Sequence, residues 1–434
     1  MQRASSGALA LCLFGGLAAC YSDALTPTNP IDGGVAPAAA SPLPCDVDKV
    51  LAERCRSCHG AKPAFGAPMP LVTFDDLRAP SKSAPERSVY ELVKQRIHDD
   101  ARPMPQAPNA RLNPDETATL DGWIVRGAPR GEGTCTQGST TPPPAPNLVP
   151  TLSCPTPGAT LSPGTPFSMP AGVTDLYAYY GVSVNVGAKR HITAIAPVVQ
   201  NTNIVHHILL LQVDAPVSPT PTTVAPAGKM RLLFAWAPGG KALDLPPNVG
   251  FPEEGTAHYV VQIHYNNLAG LPNQTDASGF STCTGAPREH EADVMAFGTE
   301  AFSLPPRTKT AKRCTVEVPA DYAGLTLFSA MPHQHQLGTS ISTTLRRGTQ
   351  AIDLGTRSPW NFQNQEWSPI AAVTQTGDKI ETRCEWVNGG TEAVSYGEKT
   401  LDEMCYSFTL YYPRRTAPDW SWDVPAKATT CVDE

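Results

Sequence analysis

The chain has 434 residues, among them 45 prolines, 34 glycines and 12 cysteines, a length that suits two to four domains. Proline at roughly twice its usual share argues against a mostly helical protein, and so many cysteines point to an oxidising compartment. With 33 basic against 40 acidic residues there is no basic stripe, and nucleic acid is not expected as a partner.

Residues 1–20 read as a signal peptide. Arg3 precedes an apolar run from Ala8 to Leu17 that is too short to span a bilayer, and the run ends in Leu17-Ala18-Ala19-Cys20. That ending resembles the lipobox of bacterial lipoproteins. The resemblance implies acylation of Cys20 and a body anchored at the cell envelope, facing the periplasm or the exterior. Cleavage by an ordinary signal peptidase, with plain secretion, is the competing reading. Residues 21–43, rich in Pro, Ala, Ser and Gly, read as a flexible tether.

Residues 44–136 carry the first chemical signature, Cys55-Arg56-Ser57-Cys58-His59. Two thiols on one helical turn can reach the two vinyl groups of a haem, and the following histidine then stands over the iron. A redox or zinc CxxC followed by a chance histidine is the alternative. Val47, Val50 and Leu51 predict a helix leading into the motif, and Val89, Leu92, Val93 and Ile97 predict a second. Asn113, Pro114 and Glu116 form a complete start signal for a third, with Leu120, Trp123 and Ile124 on its apolar face and Gly127 as its stop. Three helices around CxxCH resemble a small class I cytochrome c. Such a fold implies one covalently bound haem c on Cys55, Cys58 and His59, with a methionine as second axial ligand. Met104, between two prolines before the last helix, is the expected ligand, and Met69 competes with it. Residues 137–150 are a semi-rigid linker built on Pro142-Pro143-Pro144.

From residue 151 onward, short apolar runs alternate with Pro, Gly and Asn, as in 204–211, 259–265, 326–329 and 408–412. This pattern predicts an all-β class, a sandwich or barrel, in two units of residues 151–290 and 291–434. Six residues in this part have the chemistry of metal ligands: His206, His207, His264, His333, His335 and Met404. His333 and His335 at i and i+2 of a strand would project side by side, a good clip for copper or zinc. The adjacent His206 and His207 point to opposite faces of a regular strand, so they serve one metal only if the backbone twists.

The four segments Val205-His206-His207-Ile208-Leu209-Leu210, Gln262-Ile263-His264-Tyr265, His333-Gln334-His335-Gln336-Leu337-Gly338 and Asp402-Glu403-Met404-Cys405 occur in that order. Together they resemble the copper type II, ascorbate-dependent monooxygenase family over residues 150–434. The resemblance implies two jelly-roll-like β-sandwich copper domains facing each other across a water-filled cleft. It assigns an electron-storing copper to His206, His207 and His264, and an oxygen-binding copper to His333, His335 and Met404. It also implies the disulfides Cys154–Cys283, Cys314–Cys431 and Cys384–Cys405, while Cys45 and Cys135 bracket the haem unit as a fourth pair. Gln262 matches a position beside the first copper; His258 reads as structural. The arginine, asparagine and tyrosine with which the peptide-amidating branch holds a carboxylate are replaced by Met331, Tyr406 and Phe408.

The expectation is therefore a lipid-anchored copper monooxygenase using O2 on a small apolar or aromatic molecule. Its electrons would come through the fused haem from an external donor. Two other classes compete: a haem and copper electron-transfer lipoprotein without oxygenase turnover, and a surface- or carbohydrate-binding module with incidental histidines.

Overall fold

A computed structural model of the chain describes residues 43–82, 84–100, 102–106, 109–132, 149–228, 230–362, 365–397, 401–415 and 429–434. Cys20, most of the tether, Cys135 and nearly all of the linker lie outside these residues. Among the described residues no helix is long and apolar enough to cross a membrane.

Four helices form the first unit: α1 (Cys45–Arg54), α2 (Phe74–Arg78), α3 (Val89–Ile97) and α4 (Pro114–Val125). Val47, Val50 and Leu51 line the buried side of α1. In α4 the Asn113 side chain accepts from the Glu116 N–H while the Glu116 carboxylate accepts from the Asn113 N–H, which satisfies two otherwise orphaned donors. Its stop is Gly127 at φ +81°, a left-handed backbone that glycine adopts without steric cost. The five-residue α2 has no counterpart among the three helices expected from the sequence. It is too short to show a period, and the Thr73–Asp76 capping pair is what starts it. The helices enclose Leu51, Leu77, Leu120 and Trp123. Leu43, the last residue of the expected tether, is buried in this core and belongs to the folded unit.

The rest is predominantly antiparallel sheet. In the first β unit the main path is Ala159–Leu161, Gly279–Gly285, Asp175–Val198, Val249–Asn266, Val205–Val213 and Met230–Trp236. Its longest strand carries register shifts on both sides of Gly187, and such bulges bend a strand. The second unit has one sheet of Asp293–Gly298, Tyr406–Tyr412, Thr326–His333 and Ser368–Val373, and a second of five strands from Thr308–Glu317 to Thr429–Asp433. Disulfides join Cys154 to Cys283, Cys314 to Cys431 and Cys384 to Cys405. Cys45 is also disulfide-bonded, to a partner outside the described residues.

The two β units share part of their apolar core, although the second also has clusters of its own. Val294, Ala296, Met331, Phe408 and Leu410 of the second pack in one cluster with Ile208, Leu232, Val261 and Ile263 of the first.

Candidate metal centres

The strand Val205–Val213 pairs with Val249–Asn266 so that Val205 faces Tyr265 and His207 faces His264. Two steps on one strand thus match one step on the other, and His206 is the extra residue of a bulge. This local distortion removes the objection to adjacent histidines. The ligand-capable nitrogens of His206, His207 and His264 lie within 4.8 Å of one another. The Nδ1 atom of His206 is 3.2 Å from Nδ1 of His207 and 3.2 Å from Nδ1 of His264.

Three Nδ1 atoms converging at that distance suit one shared cation better than mutual hydrogen bonds. Burial and the neighbouring imidazoles hold His207 well below its usual pKa, so it offers a lone pair at neutral pH. On the far side of the site, Nε2 of His264 lies 2.9 Å from an Asp175 oxygen, and the His264 ring stacks on Tyr177 at 4.3 Å. A carboxylate behind an imidazole fixes which nitrogen is free to bind. Gln262, two residues before His264 on the same strand, donates to the Tyr179 hydroxyl at 3.2 Å. His258 stands apart, with its Nδ1 2.8 Å from the Ser183 hydroxyl.

His333 closes the strand Thr326–His333 and His335 lies just past its end, so the HxH pair straddles a strand terminus. Their rings are 5.1 Å apart and nearly perpendicular. Nδ1 of His333 is engaged by the Gln365 side-chain oxygen and Nδ1 of His335 by the Asp402 carbonyl, which fixes the orientation of both rings. Burial, followed by the charge of His335, pushes His333 down to about 3.

Sequence reasoning missed the residue that ties this site together. The buried Glu403 carboxylate accepts the N–H groups of His335, Leu337 and Met404 and the indole N–H of Trp386. One side chain therefore fixes the HxH turn to the Met404 segment, and the Cys384–Cys405 bridge pins that segment from its other end. Glu403 was visible as the residue before Met404, but nothing in the sequence gave it four partners. Two imidazoles and a thioether suit copper, the softer sulfur favouring Cu(I).

The two ligand sets come close to one another. The Phe362 ring is 6.1 Å from the His206 ring and 6.0 Å from the His335 ring. One aromatic side chain thus lies against a ring of each ligand set. Phe362 belongs to no motif, so no sequence signal marks it. Met331, Tyr406 and Phe408 are all buried.

In the helical unit, Cys55 and Cys58 are free thiols beside His59. Burial pushes the Cys55 thiol up to about 12 and raises Cys58 as well. His59 Nδ1 donates to the Met69 carbonyl at 2.9 Å, leaving Nε2 free. The surrounding cavity of about 350 Å³ is lined by Leu71, Leu92, Val93 and Ile97 and by both Met69 and Met104. This set of donors and apolar walls fits a haem.

Residues 165–272 match the N-terminal domain, and residues 290–426 the C-terminal domain, of the copper type II ascorbate-dependent monooxygenases. The chain is 28% identical to dopamine beta-hydroxylase of Rattus norvegicus, over 52% of this chain and 41% of that protein. It is 27% identical to DBH-like monooxygenase protein 1 of Gallus gallus, over 52% and 42%. With the peptidylglycine alpha-amidating monooxygenase of Rattus norvegicus it shares 28% identity, over 52% and 25%. The chain thus spans less than half the length of these relatives.

Proposed function

The chain belongs to the copper type II ascorbate-dependent monooxygenase family, and from that premise we propose that it hydroxylates a C–H bond of a small apolar or aromatic molecule with O2. The observation that carries this reading is the pair of ligand sets, three converging Nδ1 atoms in one sheet and an HxH with a thioether segment in another. Copper bound at the two sites would supply one-electron redox steps and the activation of dioxygen. The chain's own part is to orient the imidazoles through Asp175, Gln365 and Asp402 and to hold the Met404 segment through Glu403. The substrate class rests on Met331, Tyr406 and Phe408, which put no cation where a peptide carboxylate would need one. The relatives named above act, by their names, on dopamine and on peptidylglycine; neither substrate is transferred to this chain.

Residues 44–136 we read as a c-type cytochrome unit, with the haem on Cys55, Cys58 and His59 and with Met104 as the second ligand. Because the Met69 carbonyl accepts from the proximal imidazole, the Met69 backbone lies on the His59 side, and this favours Met104 for the opposite face. Metal and haem analysis of the matured protein tests the whole assignment. Two coppers and one haem per chain are expected, together with substrate-dependent O2 uptake that Met404→Ala abolishes. Copper below one equivalent, or uptake unchanged in Met404→Ala, refutes it. We also propose anchorage to the cell envelope through an acylated Cys20. Labelling with a palmitate analogue should mark Cys20, and an unlabelled mature chain disproves the anchor.

A further inference from the structure

The helical unit is seated directly on the first histidine cluster. Six residues beyond His59, Phe65 and Gly66 hold φ +53° and +75°, a left-handed turn that non-glycine residues rarely adopt. The Phe65 N–H donates to the Thr202 carbonyl at 2.6 Å, and the Phe65 side chain packs against the core of the first β unit. A Cβ atom on Gly66 would stand 3.3 Å from Cδ2 of His206 and 3.4 Å from Cγ of Asn266, so backbone and imidazole are in contact there. Lys82 clamps the same surface, its ammonium donating to the Leu268 and Ala269 carbonyls at 3.0 and 2.8 Å.

A second observation comes from the cavity beside this turn. The cavity around Cys55, Cys58 and His59 is walled partly by His206, Asn266 and Leu268 of the β unit. His206 therefore presents one edge to the haem cavity and its Nδ1 to His207 and His264. A single imidazole separates the two redox sites.

We infer that the helical unit is the resident electron donor of the first copper site, and that electrons enter it across the Phe65–Gly66 turn and His206. This rests on the haem and copper readings proposed above. The step is one electron leaving ferrous haem iron, which becomes ferric, and arriving at Cu(II), which becomes Cu(I). No bond is made or broken. Two such deliveries supply the pair that, with two protons, converts RH and O2 into ROH and water. The haem is re-reduced by an external one-electron donor.

Flash reduction of the full-length, haem-bearing, Cu(II)-loaded protein without oxygen tests this, with the haem absorbance followed in time and Cu(II) counted by electron paramagnetic resonance. The haem should reduce and then reoxidise at a rate independent of protein concentration, with Cu(II) lost in step. The reoxidation should vanish in His264→Ala and, independently, in His207→Ala, neither of which lines the haem cavity. It should persist in Met404→Ala. Lys82→Ala should slow it by roughly tenfold, in proportion to the docked fraction, without moving the haem potential. Reoxidation that depends on protein concentration, survives loss of the first site or ignores Lys82→Ala overturns the inference alone. A matured chain with no haem band, or with no copper at His206, His207 and His264, overturns it together with the underlying reading.

Discussion

Asp175 is the clearest case of a residue acting through its neighbour. Its carboxylate lies 2.9 Å from His264 Nε2 and thereby presents Nδ1 to the cluster. Asp175→Asn keeps the shape but weakens the hold on the imidazole. Copper affinity of the first site should drop about 10- to 100-fold, read by competitive titration, while the second site is unaffected. In the helical unit, Met104→Ala should remove the thioether-to-iron absorption band and Met69→Ala should leave it; the opposite pair of spectra assigns the ligand to Met69. At this scale the six proposed copper ligands could be singled out because metal chemistry restricts residue type so strongly. Asp175, Gln365 and Phe362 were not. A carboxylate, an amide and a phenyl ring are common anywhere, and only the fold brings them to the histidines.

At the scale of elements, the decisive feature is the bulge at His206, which sets adjacent histidines on one site. The sequence could state the condition, a twisted backbone, but a bulge depends on how the partner strand registers, and that is a long-range property. Helix α4 was readable in full because its start signal is local; α2 was not, because five residues carry no period. The Cys384–Cys405 bridge closes only 21 residues of sequence separation, worth about 3 kcal/mol in the chain-entropy model. Replacing both cysteines with serine should lower unfolding stability by that order in denaturant titration. It should also empty the second copper site before the first, since Cys405 adjoins Met404. Equal loss of both coppers would show that the bridge does not hold the Met404 segment.

For the whole molecule, several contacts among the described residues join the β units, and two of them bear most directly on stability. One is a buried ion pair, Arg231 Nε to Asp293 Oδ1 at 3.0 Å, between a strand of the first unit and one of the second, with Arg414 3.4 Å from the other Asp293 oxygen. Removing one member leaves a charge without its partner in a dry place. Arg231→Met should cost about 3 kcal/mol, the lower end for such a loss because Arg414 remains, measurable as a shift in the denaturant midpoint. The other is the shared apolar cluster. Strand pattern divides residues 151–434 into two β units at residue 290; the strand His290–Glu291 pairs with the first sheet and Asp293–Gly298 opens the next. What the pattern could not give was the packing across that border, because a strand reads as half-buried whichever unit covers it. That packing decides how the molecule can be taken apart. A fragment starting at residue 291 would present Val294, Ala296, Met331, Phe408 and Leu410 to water as one contiguous greasy face, the kind of surface that drives precipitation. The chain is divisible on paper at that border, and in a test tube only at the expense of solubility.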